Sequence, residues 1–328
     1  MKVFTRFAVV GLACLLASAC SSSGRTANSG SGLVHVVVGQ LPIADTAAVE
    51  IAMKEGFFKQ QGLDVTTVAI QQSTAAIPLM LHGSVDITSG NYTSFIDADA
   101  TGVTHIEIVA AGDSCSPSAL VVLARPKSKI SGAATLAGKT IAVNIDPDIQ
   151  TLTINALLKA SGVNPGSVKY VTIPFPDMGT ALAAGRVDAI AETEPFITAA
   201  EKDYDAVNVL TECAGPTADM PLGAFAATSQ WVTRNPKAAL GFQRAIQEAS
   251  AVADSHRKLV QQLLPAYTSI TPKVAAVISL PDYATTLTAP QVQRVADLML
   301  TGGMLKKKFD VAPILFHPAG RAPGNSGI

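Results

Sequence analysis

The spacing of apolar and polar residues changes character three times along the 328-residue chain. An apolar run over residues 7–17, interrupted only by Gly11, stops at the small residues Ala17, Ser18 and Ala19. From residue 33, short apolar stretches alternate twice over with longer stretches of helical spacing. After Trp231 the short stretches cease and helical spacing alone remains. Short apolar runs bounded by turn residues predict buried strands, and their alternation with helices predicts parallel β-α-β units.

The two alternating segments repeat one another. The first has strands over 33–38, 64–68 and 85–87, with helices ending at Glu55-Gly56-Phe57-Phe58-Lys59 and at Leu81-His82-Gly83-Ser84. The second has strands over 138–143, 168–172 and 187–190, with a helix over 152–160 and another ending at Ala184-Gly185-Arg186. Gly83 and Gly185 stand 102 positions apart, as do Val85 and Val187, and Asp86 and Asp188. Each glycine falls where a helix end wants a left-handed residue. Two similar α/β lobes follow. Strands over 106–111 and 119–124 mark a first crossing between them, and the chain should return over 221–228. Asn235-Pro236 then opens a helical tail, with further helices near 256–264 and 290–301, the last closed by Gly302-Gly303. The tail has no alternation of its own and is expected to pack onto a lobe.

The N-terminus bears on location. Lys2 and Arg6 precede the apolar run, no acid does, and the run is too short for the ~20 residues a bilayer requires. Leu16-Ala17-Ser18-Ala19-Cys20 resembles a lipobox. The expectation is a signal peptide over 1–19, acylation (palmitate-type) at Cys20, and a Ser/Gly-rich tether over 20–32. The other reading is an ordinary signal beside an incidental cysteine. Acyl chains contribute about 0.8 kcal/mol per buried methylene, so two or more anchor firmly to an extracytoplasmic membrane face.

Losing Lys2 and Arg6 leaves 22 basic against 25 acidic residues, a net charge of −3. No basic stripe suits nucleic acid, and Lys306-Lys307-Lys308 reads as a solvated helix end. One Trp, five Tyr and eleven Phe supply few stacking platforms for a sugar. Cys115 and Cys213 remain after processing. In an exported chain they are a candidate disulfide, the alternative being two buried free thiols. No Cys-x-x-Cys or His-x-His occurs, and the five histidines are scattered, so no metal or other cofactor is expected. Gly-x-Ser-x-Gly is absent too.

Four ordered motifs carry a family resemblance. Glu55-Gly56-Phe57-Phe58-Lys59-Gln60-Gln61-Gly62-Leu63-Asp64-Val65, Leu136-Ala137-Gly138-Lys139-Thr140-Ile141-Ala142-Val143, Gly185-Arg186-Val187-Asp188-Ala189 and Glu194-Pro195-Phe196 are similar to signatures of one group of ABC-importer solute-binding proteins, of the sulfonate, taurine, nitrate and thiamine-pyrimidine type. The resemblance implies the two-lobed type II periplasmic-binding-protein fold, α/β, with two doubly wound sheets joined by a two-crossing hinge. Lobe one would comprise 33–114 plus 226–328, and lobe two 115–225. It also implies capture of a small ligand by hinge closure, an ABC permease as partner, and no catalysis. A ligand sensor would use the same closure. The group resembles a pyrimidine-forming enzyme as well, which would want a histidine near cysteines at the cleft, and none of the five lies so placed.

In open parallel sheets the cleft lies beyond the carboxyl ends of the strands. That rule selects Gln40, Ser73, Thr74, Asn91 and Tyr92 from lobe one, and Asp146, Asp177, Glu192 and Glu194 from lobe two, as ligand-binding residues. Several have ordinary readings: Ser73, Thr74 and Asp177 as helix caps, Asp146 and Asp148 as turn formers around Pro147, Tyr92 as a core aromatic. Lobe one offers neutral donors, lobe two offers acids, and neither offers Lys or Arg. The ligand is therefore expected to direct a cationic or donor-bearing end at lobe two, as an amine, aminopyrimidine or zwitterionic sulfonate would. Glu194 carries most of that argument.

Overall fold

A computed structural model describes residues 32–286 and 288–318. The expected signal peptide, the expected acylation site Cys20 and the expected tether up to residue 31 lie outside the described residues.

The first run of elements is β1 (Val34–Gln40), α1 (Ala47–Lys54), α2 (Phe57–Gln60), β2 (Leu63–Ala69), α3 (Ser73–Leu81), β3 (Ile87–Asn91), α4 (Tyr92–Ala100) and β4 (Ile106–Ala111). A short strand, β5 (Asp113–Ser114), lies in the first crossing. The second run is β6 (Val121–Ala124), β7 (Thr140–Val143), α5 (Ile149–Ala160), β8 (Lys169–Thr172), α6 (Phe175–Ala183), β9 (Ala189–Glu192), α7 (Phe196–Tyr204) and β10 (Val207–Thr211). The chain returns through β11 (Gly223–Thr228). The tail holds α8 (Ser229–Arg234), α9 (Pro236–Ser255), α10 (Arg257–Tyr267), α11 (Pro272–Ala275), β12 (Asp282–Tyr283) and α12 (Ala289–Gly302).

Two five-stranded sheets result, ordered β2-β1-β3-β11-β4 and β8-β7-β9-β6-β10. They match position for position. The first strand of each segment pairs in parallel with the next two, β1 with β2 and β3, β7 with β8 and β9. The fourth position in each sheet is antiparallel to both neighbours: β11 in one, β6 in the other. Both of these strands enter from a crossing, so each sheet is completed by chain arriving from the other.

The repeat has a physical cause at single atoms. Gly83 and Gly185 adopt φ of 69° and 70°, the left-handed region where a side chain is strained. Asp86 Oδ2 accepts from the Val37 N–H of β1 at 2.8 Å, and Asp188 Oδ2 from the Thr140 N–H of β7 at 2.9 Å. Their own amides donate back to the carbonyls of Val37 and Thr140. Each aspartate thus fastens one strand to the start of the next, and the helix before it must turn on a glycine to deliver it.

Packing follows the layers. Alanines of α9 let it lie close on the first sheet, where Phe242 stacks on Phe58 at 5.4 Å and meets the edge of Phe225 at 5.6 Å. A Cβ at Gly241 would come 3.1 Å from the Gln61 carbonyl, so that residue sets how closely α9 sits on the loop after α2. The tail divides. Helices α9 and α10 cover the first sheet, but α12 reaches both lobes: Val292, Val295, Ala296 and Met299 share one core with Phe95 of α4 and Leu152 of α5. Lys159 of α5 donates to the Thr301 carbonyl at 3.0 Å. Cys115 and Cys213, both buried, form a disulfide (S–S 2.03 Å) that ties the first crossing to the start of the second.

Candidate functional site

The carboxyl ends of β1, β3, β7 and β9 face a cavity of about 70 Å³ between the sheets. A single water occupies roughly 10–15 Å³ on this measure, so a few waters or one small molecule fill it. The wall is mainly apolar, with Leu41, Ile43, Leu120, Ile149, Phe175, Leu222 and Phe225. Its charged side chains are Asp45, Asp113 and Asp148, with no Lys, Arg or His.

Hydrogen bonds cross the cleft on several sides of the cavity. Asp148, the residue before α5, accepts from Asn91 Nδ2 at 2.6 Å, Thr93 Oγ1 at 2.5 Å and Ser94 Oγ at 2.9 Å, all at the head of α4. Ser73 Oγ donates to Ser94 Oγ at 2.9 Å behind them. Asn144 at the end of β7 meets Gln71 and Gln72, its carbonyl accepting from Gln72 Nε2 at 2.5 Å. Thr193 Oγ1 donates to Asp45 at 3.3 Å, and the Ala44 amide donates to the Glu194 carbonyl at 2.9 Å. Asp45 itself sits on a turn held by Tyr283 Oη to the Ala44 carbonyl at 2.9 Å and Tyr267 Oη to the Ile43 carbonyl at 3.1 Å.

Burial raises the carboxyls here. Desolvation lifts Asp45 to about 7, with Glu194 adding repulsion against the Thr193 bond. Asp148 rises to about 6, desolvation outweighing the Thr93, Ser94 and Asn91 bonds. Asp113 is driven well above the usual carboxylate range by burial and then by the Asp45 charge. It is 1% exposed, and neither of its oxygens has a partner among the described residues. The Gly223 and Asp113 backbone amides oppose that rise without reaching hydrogen-bond geometry.

The structure sorts the residues selected from sequence. Ser73 and Asn91 line the cavity; the other seven do not. Gln40 is buried behind it, donating to Thr46 Oγ1 at 3.2 Å. Thr74, Asp146 and Asp177 face solvent, Asp177 in the first turn of α6. Tyr92 is a buried core aromatic at the head of α4. Glu192 is buried in the second sheet, its carboxyl raised by desolvation and by Glu194. Glu194 turns back into its own helix: Thr198 donates through N–H (3.1 Å) and Oγ1 (2.8 Å), and the Ser279 amide adds a third bond at 3.3 Å. Its carboxylate has its partners within the protein. Asp148, read from sequence as a turn former, starts α5 with Thr151 Oγ1 accepting from its amide at 2.7 Å, and its carboxylate also reaches the cavity. Asp45 and Asp113 were not selected. The one lies just past a strand end and the other in a crossing, and no motif marks either. Among the described residues no group of three or more His, Cys, Asp or Glu is placed to hold a metal ion.

Residues 44–258, about two thirds of the chain, match the model of the family described as NMT1/THI5 like. The chain belongs to the NMT1/THI5-like family. A relative from Brachyspira hyodysenteriae, provisionally named an ABC transporter periplasmic binding protein, is 27% identical over 62% of this chain and 60% of its own length. The nitrate/nitrite binding protein NrtA of Synechococcus elongatus is 27% identical over 69% of this chain and 56% of its own. The chain thus spans a little under two thirds of these curated relatives. The alkanesulfonate-binding protein SsuA of Xanthomonas axonopodis pv. citri, solved with MOPS bound, superposes with a TM-score of 0.73 at 19% identity, covering 88% of this chain and 99% of that one. At that identity the likeness concerns the fold, and it places this NMT1/THI5-like chain in the periplasmic-binding-protein fold.

Proposed function

We propose that this chain is the extracytoplasmic solute-binding component of an ABC importer, and that it takes a small solute carrying an amine or another strong hydrogen-bond donor. Lobe one (33–114 plus 226–328) and lobe two (115–225) would close on the solute about the two crossings and present it to a permease. Acylation at Cys20 would hold the protein at the membrane face. The family and the printed names of the curated relatives support a transport role. The ligand class rests on one observation: the charged side chains of the cavity wall are three carboxylates, with no cationic group. With its pKa raised only to about 6, Asp148 is ionised at neutral pH, so a bare nitrate or sulfonate enclosed there would meet like charge, and two unit charges 4 Å apart repel by about 4 kcal/mol at an effective dielectric of 20. The importer reading therefore stands with a ligand of opposite character to nitrate and alkanesulfonate.

Thermal shifts against small amines, aminopyrimidines, zwitterionic aminosulfonates, nitrate and methanesulfonate test this. A ligand at 100 times its Kd adds about 2.7 kcal/mol of stability. Shifts confined to the amine-bearing compounds support the reading; shifts with nitrate or methanesulfonate alone overturn it. Cys20→Ser should release the protein into the medium, and continued membrane retention of that variant would refute the anchor.

A further inference from the structure

Most of the cavity's polar groups are already engaged. Asp148 is held by three donors at the head of α4, and Asp45 by Thr193. Asp113 is the exception. It is buried, it lines the cavity, and both its oxygens lack a donor among the described residues. A buried carboxyl is stable only with a proton, a hydrogen-bond donor or a cation beside it.

The backbone around Asp113 is shaped for the carboxyl. A Cβ on Gly223 would come 2.2 Å from Asp113 Oδ1, and one on Gly112 would come 2.9 Å from the Gly223 backbone. Two glycines therefore let the crossings touch and leave the Asp113 carboxylate lying over bare backbone at the cavity wall. Apolar side chains make up much of the remaining wall, among them Leu41, Ile43, Leu120, Ile149, Leu222 and Phe225. A metal ion is not what these groups are arranged to take, since among the described residues no set of three ligands converges. The chemistry left is a compact organic cation on an apolar body.

We propose that Asp113, with Asp45 beside it, receives the ammonium or amidinium group of the ligand and gives up one proton to solvent as it does so. The proposal rests on the ligand class argued above and adds the residue that reads it and the proton exchanged for it. In the exchange the Asp113 O–H bond breaks, its electron pair stays on the carboxylate, and the ligand keeps all its own protons. Other groups facing the pair strengthen the need for a proton when no cation is bound. Asp282 and Tyr283 on β12, Tyr92 on α4, Tyr267 on α10 and Glu194 bring no positive charge. Arg257, whose charge reaches Tyr283, spends its guanidinium on the carbonyls of Leu280 and Pro281 and on Asp254. Burial accordingly raises both carboxyls, helped by the Glu194 charge at Asp45, which rises to about 7, and by the Asp45 charge at Asp113, which is driven well above the usual carboxylate range.

The test uses the mature protein with isobutylamine as cationic probe and isobutanol as its neutral match. Calorimetry in two buffers of different ionisation enthalpy reads the protons. We expect about one proton released per amine bound below about pH 7, with affinity falling about tenfold per pH unit as acidity rises through that range. Asp113→Asn, checked for folding by its melting temperature, should bind the amine about 10- to 100-fold more weakly and release no proton, which is the value of one charge-assisted bond. The infrared spectrum of the ligand-free protein supplies an independent reading. The difference between wild type and Asp113→Asn should contain a protonated-carboxyl C=O stretch, contributions from Glu192 and Glu212 cancelling, and that stretch should vanish on saturation with amine. Amine binding undiminished in Asp113→Asn, or binding without proton release, overturns this proposal and leaves the ligand class standing. Failure of every amine to bind the wild type overturns both.

Discussion

Replacing Asp148 with Ala removes the carboxylate on which Asn91, Thr93 and Ser94 converge across the cleft. Counting hydrogens shows what this latch requires. Thr93 Oγ1 lies 2.5 Å from both Asn91 Oδ1 and Asp148 Oδ1, yet it has one proton to give. A proton on Asp148 resolves the shortage, and burial favours it by lifting the pKa from 3.8 to about 6. With the folded pKa raised, the stability associated with protonation is fully present below the unfolded value and is lost as pH rises through the folded one. About two pKa units correspond to roughly 3 kcal/mol in the limit. Between about pH 4.5 and about pH 7.5 the linkage integral gives about 2 kcal/mol. The protonated latch, with three bonds at about 1 kcal/mol net each, should contribute about 3 kcal/mol in acid. Asp148→Ala is therefore expected to cost about 2 kcal/mol more near pH 4.5 than near pH 7.5, where its effect should be small. Urea midpoints of wild type and variant at the two pH values, at constant m, measure it directly. A cost that is larger at neutral pH than in acid would show that the latch works ionised and that the hydrogen count is wrong.

Reduction of the Cys115–Cys213 bond, or the paired Cys→Ser change, opens a loop of 98 residues and should lower stability by about 2 to 4 kcal/mol in denaturant titrations; an unchanged midpoint would refute the contribution. Gly223→Ala places a methyl against Asp113 Oδ1 and should weaken binding of small amines well beyond its effect on melting, read by titration calorimetry; equal loss of both would mean simple misfolding. Glu212, buried with one oxygen bonded to Thr153 at 2.6 Å and the other without a partner among the described residues, has its carboxyl raised by burial to about 8. Native stability should then fall as pH rises from about 5 to about 8, and Glu212→Gln should flatten that fall by on the order of 3 kcal/mol; parallel pH profiles would count against it.

Local rules carried the fold a long way. The strands expected over 33–38, 119–124 and 221–228 correspond to Val34–Gln40, Val121–Ala124 and Gly223–Thr228. The 102-residue offset marked a real equivalence because Gly83–Asp86 and Gly185–Asp188 solve the same backbone problem, a helix stop followed by a strand fastener. The tail was legible as helices but not in its docking, since nothing in the apolar stripe of α12 says that its core is shared between lobes. The site was legible only in outline. Strand ends place Ser73 and Asn91 at the cavity, but the rule specifies where a residue stands and not where its side chain turns. Glu194 stands at a strand end and bends its carboxylate onto Thr198. Asp45 and Asp113 come from a turn and a crossing, segments whose position depends on tertiary packing that no local period encodes.

The antiparallel insertion of β11 between β3 and β4 has a consequence for how the polypeptide is built. Until residue 223 has emerged, the first sheet exists as two unjoined pieces, β2-β1-β3 on one side and β4 alone on the other, each with an open edge. The second sheet draws all five of its strands from one contiguous span, residues 121–211. Loop-closure entropy favours the contiguous sheet, and sequence-distant pairing is slow. A chain delivered from its N-terminus should therefore complete its second sheet before its first, leaving the edges of β3 and β4 open to mispairing for longest.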